Sequence, residues 1–409
     1  MRHHFSERVK GAKRSAIREL LKLTARPEII SFGGGLPAPE TFPHEEMAKI
    51  AEEAIRNDYS EVLQYGLTEG STVLREAVCD WLRPQGIQVT VDELLVTTAS
   101  QQALDLLCKS FIDPGDVVFC GLPTYLGAVQ VFTLFQTSMV GVTLEDDGMD
   151  LDELEAQIEQ VKNAGKSMKA VYVIPDFQNP SGITMSLEKR KRLLEIAKRE
   201  DLLIFEDNPY GQLRFAGEPV PSICSLDEDG RVVLLLTFSK TLSAGLRLAV
   251  MLAREEQMDA LVRAKQATDL CTSNLIQRIA SDYMRQYGIE KHLDEIRPIY
   301  REKRNAMIAA LERYMPKDTG ITWTEPEGGL FVWVRLPKEI DATEMLKDAI
   351  ENKVAYVPGT PSYVDGGGQN TLRLAFSLAT PDVIDEGIRR LADVVKQTIA
   401  AKQVAAGTQ

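Results

Sequence analysis

Histidine is scarce. The 409-residue chain carries four, His3, His4, His44 and His292, and none pairs with another at a metal-ligand spacing. A zinc centre and histidine-based catalysis are therefore disfavoured. Cysteine is also thin: Cys79, Cys108, Cys120, Cys224 and Cys271 are odd in number, show no C-x-x-C spacing and lie mostly in apolar surroundings. Such usage argues against a disulfide framework and fits reduced core residues of a cytoplasmic protein. No uninterrupted apolar run approaches the roughly 20 residues that cross a bilayer. The N-terminus, Met-Arg-His-His-Phe-Ser-Glu-Arg, lacks the apolar core of a secretory leader. Positive charge is in deficit, with 47 basic residues against 60 acidic ones and a net charge of −13 spread along the chain. That balance disfavours nucleic acid and anionic membranes as partners, while a local basic pocket for a small anion stays compatible with it.

What is present is an ordinary globular composition, 44% hydrophobic and 26% charged, in a chain long enough for one large core and a second, smaller one. Residues 15 to 24 carry Ile17, Leu20, Leu21 and Leu23 at helical spacing behind Ser15 as N-cap, and Pro27 closes that helix. Helices follow over His44 to Asn57 and from about Ser71 to Trp81. Then the texture alternates. Apolar strands are expected at Leu94 to Thr98, Val117 to Cys120, Met139 to Val142, Ala170 to Ile174, Leu202 to Phe205 and Val232 to Leu236. Between them lie helices over Ala103 to Phe111, from about Tyr125, from about Asp150 to Lys162, and over Leu187 to Arg199, the last with Leu193, Leu194 and Ala197 on one face. Near-continuous apolar strands alternating with helices predict an α/β fold, a three-layer sandwich around a mostly parallel central sheet.

From about residue 256 helices dominate, including a long one from His292 to Met315 that Pro298 should kink. Short strands at Ile321 to Trp323, Phe331 to Leu336, Val354 to Val357 and Thr371 to Phe376, with helices near 342 to 352 and 381 to 401, predict a smaller α+β domain. The expected division is an N-terminal segment, 1–45, packing with the small domain; a large domain, 46–290; the small domain, 291–402; and a disordered tail, 403–409.

Ligands of a parallel sheet bind outside the carboxyl ends of its strands. Ser100, Asn179, Asp207 and Lys240 each follow such an end, so polar residues from separate strands converge on one edge. Lys240 lies among Thr237, Ser239 and Arg247. A lysine held in a partly dry pocket loses its charge readily and condenses with a carbonyl, and two hydroxyls beside a guanidinium suit a phosphate monoester. Ser100 and Gln101 open a helix directly after a strand, where free N–H groups favour a phosphate. Taken singly, these residues also read as a surface lysine in a polar loop and as routine N-capping by Ser100. The run Gly33-Gly34-Gly35 permits a close backbone approach to a ligand or makes a tight turn. It is not G-x-G-x-x-G before a helix, so a dinucleotide site is disfavoured.

Taken together, the edge residues answer the needs of a pyridine aldehyde phosphate. Lys240 is the amine and Asp207 the anion for the ring nitrogen. Asn179 and Tyr210 are donors to the phenolate oxygen, and Tyr125 is the stacking ring. Ser100, Gln101, Thr237, Ser239 and Arg247 form the phosphate cup. The sequence resembles the fold type I pyridoxal-phosphate aminotransferases of class I/II, in the branch that includes 2-aminoadipate (kynurenine) and archaeal aromatic aminotransferases. The matching motifs are Ile-Ser-Phe-Gly-Gly-Gly-Leu-Pro (30 to 37), Gln-Tyr-Gly-Leu-Thr-Glu-Gly (64 to 70), Ser-Gln-Gln-Ala (100 to 103), Asp-Phe-Gln-Asn-Pro-Ser-Gly (176 to 182), Glu-Asp-Asn-Pro-Tyr (206 to 210), Phe-Ser-Lys-Thr-Leu (238 to 242) and Asn-Thr-Leu-Arg-Leu (370 to 374).

The resemblance implies pyridoxal 5'-phosphate as cofactor and ping-pong transamination. The donor would be an aromatic, 2-aminoadipate-like or branched apolar L-amino acid, and the acceptor a 2-oxo acid, expected to be 2-oxoglutarate. By it Lys240 carries the cofactor as an imine and moves the substrate proton, Asp207 pairs with the ring nitrogen, and Tyr210 and Asn179 hold the phenolate oxygen. Arg373 clamps the substrate α-carboxylate with help from the Gly35 backbone. Tyr65 reaches the cofactor phosphate of a neighbouring subunit, which implies a homodimer with shared sites. Arg18 matches an arginine that meets a distal carboxylate in some relatives, and reads equally as an exposed helix arginine paired with a glutamate. Three departures stand out. Ala99 and Ala244 replace a usual Gly and Pro, and Ala249-Val250 replace a Gly-aromatic pair, which bears on pocket shape rather than chemistry. Elimination, decarboxylation or racemisation on the same cofactor, and a non-catalytic ligand sensor, are the competing expectations.

Overall fold

A computed structural model describes residues 4–11, 26 and 28–407 of the chain. The expected helix over 15 to 24, with Arg18, lies outside the described residues. The strands are β1 (Ile30–Ser31), β2 (Leu94–Thr97), β3 (Val117–Leu122), β4 (Ser138–Glu145), β5 (Gly148–Met149), β6 (Met168–Val173), β7 (Leu203–Asn208), β8 (Val232–Thr237), β9 (Ala249–Leu252), β10 (Thr322–Trp323), β11 (Phe331–Arg335), β12 (Val354–Ala355), β13 (Val357–Pro358) and β14 (Thr371–Ala375).

Eight of them form one sheet in the order β2-β9-β8-β7-β6-β3-β4-β5. β4, β3, β6, β7 and β8 run parallel to one another. β9 runs against both β8 and β2, and β5 runs against β4 at the far edge. Side chains alternate across a strand, and here the alternation feeds two separate cores. Val118, Cys120, Ala170, Tyr172 and Phe205 join one apolar cluster, while their neighbours Val117, Phe119, Val171, Val173 and Ile204 join another. Leu104 and Leu107 of the helix Ala99–Phe111 close the first face. Leu154 and Ile158 of Leu151–Asn163 and Leu193 and Ile196 of Leu187–Arg199 close the second. The expected three-layer sandwich is therefore present, and its strands read as continuous apolar runs because both faces are buried.

Local chemistry starts the helices. Asp150 accepts from the Asp152 and Glu153 amides, and Ser186 from the Lys189 amide, satisfying donors that a helix's first turn leaves free. Several boundaries differ from the sequence expectation. The helix after β2 starts at Ala99, not Ala103, and β7 continues to Asn208. Asp207 thus stands within a strand, opposite Leu235 of β8. β9 was not expected; its four buried residues are too short a run to show a period. The expected long helix spans Ile289–Tyr314 with Pro298 inside it. The last helix, Pro381–Gly407, carries residues 403–407 that were expected to be disordered.

A second, antiparallel sheet has the order β10-β11-β14-β13. β1 pairs in parallel with β12, and Phe32 then exchanges hydrogen bonds with Ala355 and Ala375, each 2.8 Å. This pairing threads Gly33–Gly35 past the end of β14. No helix among the described residues is long and apolar enough to cross a membrane.

The segment from β6 to Asn179 is held by Arg190, whose side chain is fully buried. It donates to the carbonyls of Met185 (3.0 Å), Pro175 (3.1 Å) and Pro221 (2.9 Å) and to Asp176 (2.8 Å). Removing one member of a buried pair leaves the other charge unpaired, which costs about 3–5 kcal/mol. Arg190→Ala should lower unfolding stability by that order in a denaturant titration, whereas loss of the exposed Arg56–Glu52 pair should cost about 0.5 kcal/mol or less. Equal effects would contradict this assignment.

Candidate active site

Neighbouring carboxylates on β7 show how the strand sorts its side chains. Glu206 faces one layer and accepts from the amides of Ile223 (3.1 Å) and Cys224 (2.7 Å). Asp207 faces the other, 2% exposed, where Oδ2 accepts from the Tyr172 hydroxyl at 2.8 Å and Oδ1 has no partner among the described residues. Burial pushes the Asp207 carboxyl up to about 6, and the Tyr172 bond opposes the rise.

Lys240 follows β8 and donates from Nζ to the Gly35 carbonyl at 2.7 Å. Burial, then Arg373 and Arg247, push its amine down to about 8. Arg373 stands on β14, opposite Trp333 of β11 and Val357 of β13. Its guanidinium donates to Gly33 O (2.7 Å) and Asn179 Oδ1 (3.0 Å) and lies 4.4 Å above the Phe331 ring. Nε has no partner among the described residues, and burial pushes the group down to about 10. Asn179 in turn reaches the Tyr210 hydroxyl at 3.4 Å, and the Tyr210 ring meets Phe331 edge-on with centroids 5.6 Å apart. Burial raises the Tyr210 hydroxyl, so it stays protonated. Gly35 fits because a Cβ there would stand 2.7 Å from the Phe331 ring.

The remaining cup is built from two turns. Ser100 and Gln101 sit in the first turn of Ala99–Phe111. The Ser100 hydroxyl is buried without a partner, and Gln101 donates to Gly127 O at 3.2 Å. At the end of β8, Thr237 Oγ1 accepts from the Ser239 amide at 3.1 Å and donates to Ser239 Oγ at 2.9 Å, which fixes both hydroxyls. Tyr125 lies close enough to Arg373, Tyr210 and Tyr172 to bear on their titration.

This arrangement is accompanied by a sequence match: residues 30–391 fit the family Aminotransferase class I and II. The chain belongs to the class I and II aminotransferases. It is 45% identical over 96% of its length to aromatic-amino-acid aminotransferase 1 of Thermococcus litoralis, 94% of which is covered. The crystal structure of a kynurenine aminotransferase from Pyrococcus horikoshii, bound to PMP, superposes with TM-score 0.92 at 44% identity, covering 96% of this chain and 97% of that one. An alpha-aminoadipate aminotransferase from Thermus thermophilus, bound to N-(5'-phosphopyridoxyl)-L-leucine, gives TM-score 0.89 at 40% identity, covering 97% and 98%.

In this aminotransferase three of the residues predicted for the site join groups from the C-terminal sheet and the glycine run: Lys240 meets Gly35, and Asn179 meets both Arg373 and Tyr210. Arg247 is exposed, in the left-handed conformation at φ 52°, with a guanidinium nitrogen 3.3 Å from Ala244 O. Tyr65 does not join the site within one chain and is 78% exposed. Sequence reasoning missed Tyr172 and Phe331. The alternation on β6 puts Tyr172 on the Asp207 face, but only the strand register reveals that. Of the departures, Ala99 adopts φ 64°, a left-handed backbone that suits glycine and costs a side-chain-bearing residue about 1 kcal/mol. Ala249 and Val250 lie in β9, buried between β2 and β8.

A methyl group on Gly35 would displace the Phe331 ring and with it the guanidinium stacked above. Gly35→Ala should raise KM for the amino acid roughly tenfold, about 1.4 kcal/mol, while cofactor absorbance is unchanged; an unaltered KM would contradict the packing account.

Proposed function

We propose that this aminotransferase exchanges the amino group of an aromatic, 2-aminoadipate-like or branched apolar L-amino acid with 2-oxoglutarate. The donor classes follow the relatives just named and the motif resemblance. One observation carries the site assignment: a buried amine with lowered proton affinity shares a sheet edge with a buried carboxylate that has one unpartnered oxygen. Pyridoxal phosphate is the cofactor, supplying an aldehyde for the amino group and a ring that takes up the electron pair released at the substrate Cα.

The residues fit that group. Among the described residues, Ser100 Oγ, Asp207 Oδ1 and Arg373 Nε are buried without hydrogen-bond partners. Each such atom costs about 1–3 kcal/mol until satisfied, so they mark where polar atoms of a ligand belong. Ser100, Gln101, Thr237, Ser239 and Arg247 would hold the phosphate, and Asp207 Oδ1 the ring nitrogen. Asn179 and Tyr210 would hold the phenolate oxygen, and Tyr125 the ring face. Lys240 would act as the nucleophile toward the cofactor aldehyde and as the base that moves the substrate Cα proton. Both tasks need the unprotonated amine, and an amine at about 8 supplies it near neutral pH. Arg373, whose guanidinium is held by Gly33 O and Asn179 Oδ1, would orient the substrate α-carboxylate.

Tyr59, Leu63, Tyr65, Leu67 and Leu270 are exposed large apolar side chains. A second copy covering them would make a homodimer and carry Tyr65 to the partner's cofactor phosphate. The β1–β12 pairing supports assigning residues 1–45 to the small domain (291–402) rather than the large one (46–290). Free cysteines fit the cytoplasm, and distal recognition by Arg18 is part of the same proposal.

An amino acid panel with 2-oxoglutarate tests the reaction: glutamate should form with aromatic or aminoadipate-like donors, and ammonia or carbon dioxide in its place would contradict it. Lys240→Ala should abolish turnover. In the cofactor-free protein, the rate of pyridoxal phosphate capture should rise with pH and level off just above 8, because only the neutral amine attacks. A rate still climbing at pH 10 would mean an ordinary lysine.

A further inference from the structure

Asp207 receives a single hydrogen bond from the described residues, that of Tyr172 at 2.8 Å. The two side chains come from adjacent parallel strands. Tyr172 is in register with Phe205, and Asp207 follows Phe205 by one strand period, so both project to the same face. Tyr172 is 1% exposed, and its ring is fixed edge-on against Phe132 with centroids 5.6 Å apart. Its hydroxyl therefore has little freedom to point elsewhere. The bond divides the carboxylate: Oδ2 is occupied, and Oδ1 is buried and empty-handed.

We infer that Tyr172 is a positioning residue of the transamination site: its hydroxyl locks the Asp207 carboxylate in one orientation and keeps it anionic, so that Oδ1 meets the cofactor ring nitrogen and their shared proton stays on nitrogen. The inference rests on the assignment of Asp207 to that nitrogen. A donor to one carboxylate oxygen lowers the proton affinity of the whole carboxylate. The proton shared across the other oxygen then lies further toward nitrogen, which is the state in which the ring best accepts electrons. Burial and the Asp207 charge keep the Tyr172 hydroxyl protonated, so it remains a donor across the working pH range. The other titratable groups facing the pair are Tyr125 and Tyr210, with Arg373 beyond Tyr210. No cation among these residues bonds to Asp207, which leaves the tyrosine as the group that offsets its burial.

Tyr172→Phe keeps the ring and its contact with Phe132 and removes only the donor. In holoenzyme prepared with cofactor labelled with nitrogen-15 in the ring, the nitrogen resonance should move toward that of unprotonated pyridine. At the same time kcat should fall roughly tenfold, the rate equivalent of about one unit of proton affinity, with KM for the amino acid within about twofold. An unmoved resonance, whatever the rate does, overturns the inference and leaves Tyr172 a packing residue. Asp207→Asn is the control that separates the two levels. If it shifts the resonance while Tyr172→Phe does not, the role of Tyr172 fails alone. If Asp207→Asn leaves the resonance in place, the assignment of Asp207 fails and the inference with it.

Discussion

Two cations share one dry wall of this site, and neither has a carboxylate for a partner among the described residues. Lys240 and Arg373 each donate to a carbonyl of the glycine run, Gly35 and Gly33. Burial lowers the proton affinity of both, and the Arg373 and Arg247 charges lower that of Lys240 further. The arrangement disfavours the charged lysine in the folded state. Relative to its ordinary value of 10.5, an amine held at about 8 destabilises the fold fully below pH 8, and that penalty fades as pH rises from 8 to 10.5. In the proposed function, the same burial would prepare the amine for attack on an aldehyde, and an incoming α-carboxylate would relieve the guanidinium. Stability is given up where chemistry requires it.

The scaffold supports this cost by holding the wall from several directions. The parallel strands β6, β7 and β8 place Asn179, Asp207 and Lys240 at one edge, and their two buried faces leave little room for the edge to shift. Arg373 arrives from a different sheet, and the β1–β12 pairing carries the glycine carbonyls between the two. Gly35 lies against Phe331, Phe331 against Arg373 and Tyr210, and Tyr210 against Asn179. Arg373 is thereby tied to Tyr210 through both Phe331 and Asn179. Under the proposed roles, a substrate that moves Arg373 would be felt at Asn179.

Much of this was legible in the sequence, for reasons that differ by residue. The parallel strands were visible because strands buried on both faces are apolar without interruption, and Lys240, Asp207 and Asn179 were found because they follow such runs. β9 was not, since four apolar residues carry no measurable period. The left-handed Ala99 was invisible because alanine gives no sign of a positive φ, although its place in a usual glycine position marked the spot. Tyr172 and Phe331 escaped for a deeper reason. Each sits inside an apolar strand, where an aromatic residue looks like core, and only the register of neighbouring strands shows that a hydroxyl or a ring face meets a charged group. Tyr65 was legible from its motif alone, and a single chain leaves it on the surface.

The central claim is that Lys240 and its neighbours move an amino group without releasing ammonia or carbon dioxide. The most direct test is a single half-reaction: cofactor-loaded enzyme is mixed with an aromatic or aminoadipate-like amino acid in the absence of any acceptor, and the products are counted. The account predicts one 2-oxo acid per site, with the amino group retained on the enzyme and none appearing as ammonia. Continuous release of ammonia or carbon dioxide, or 2-oxo acid well beyond one per site, would contradict it.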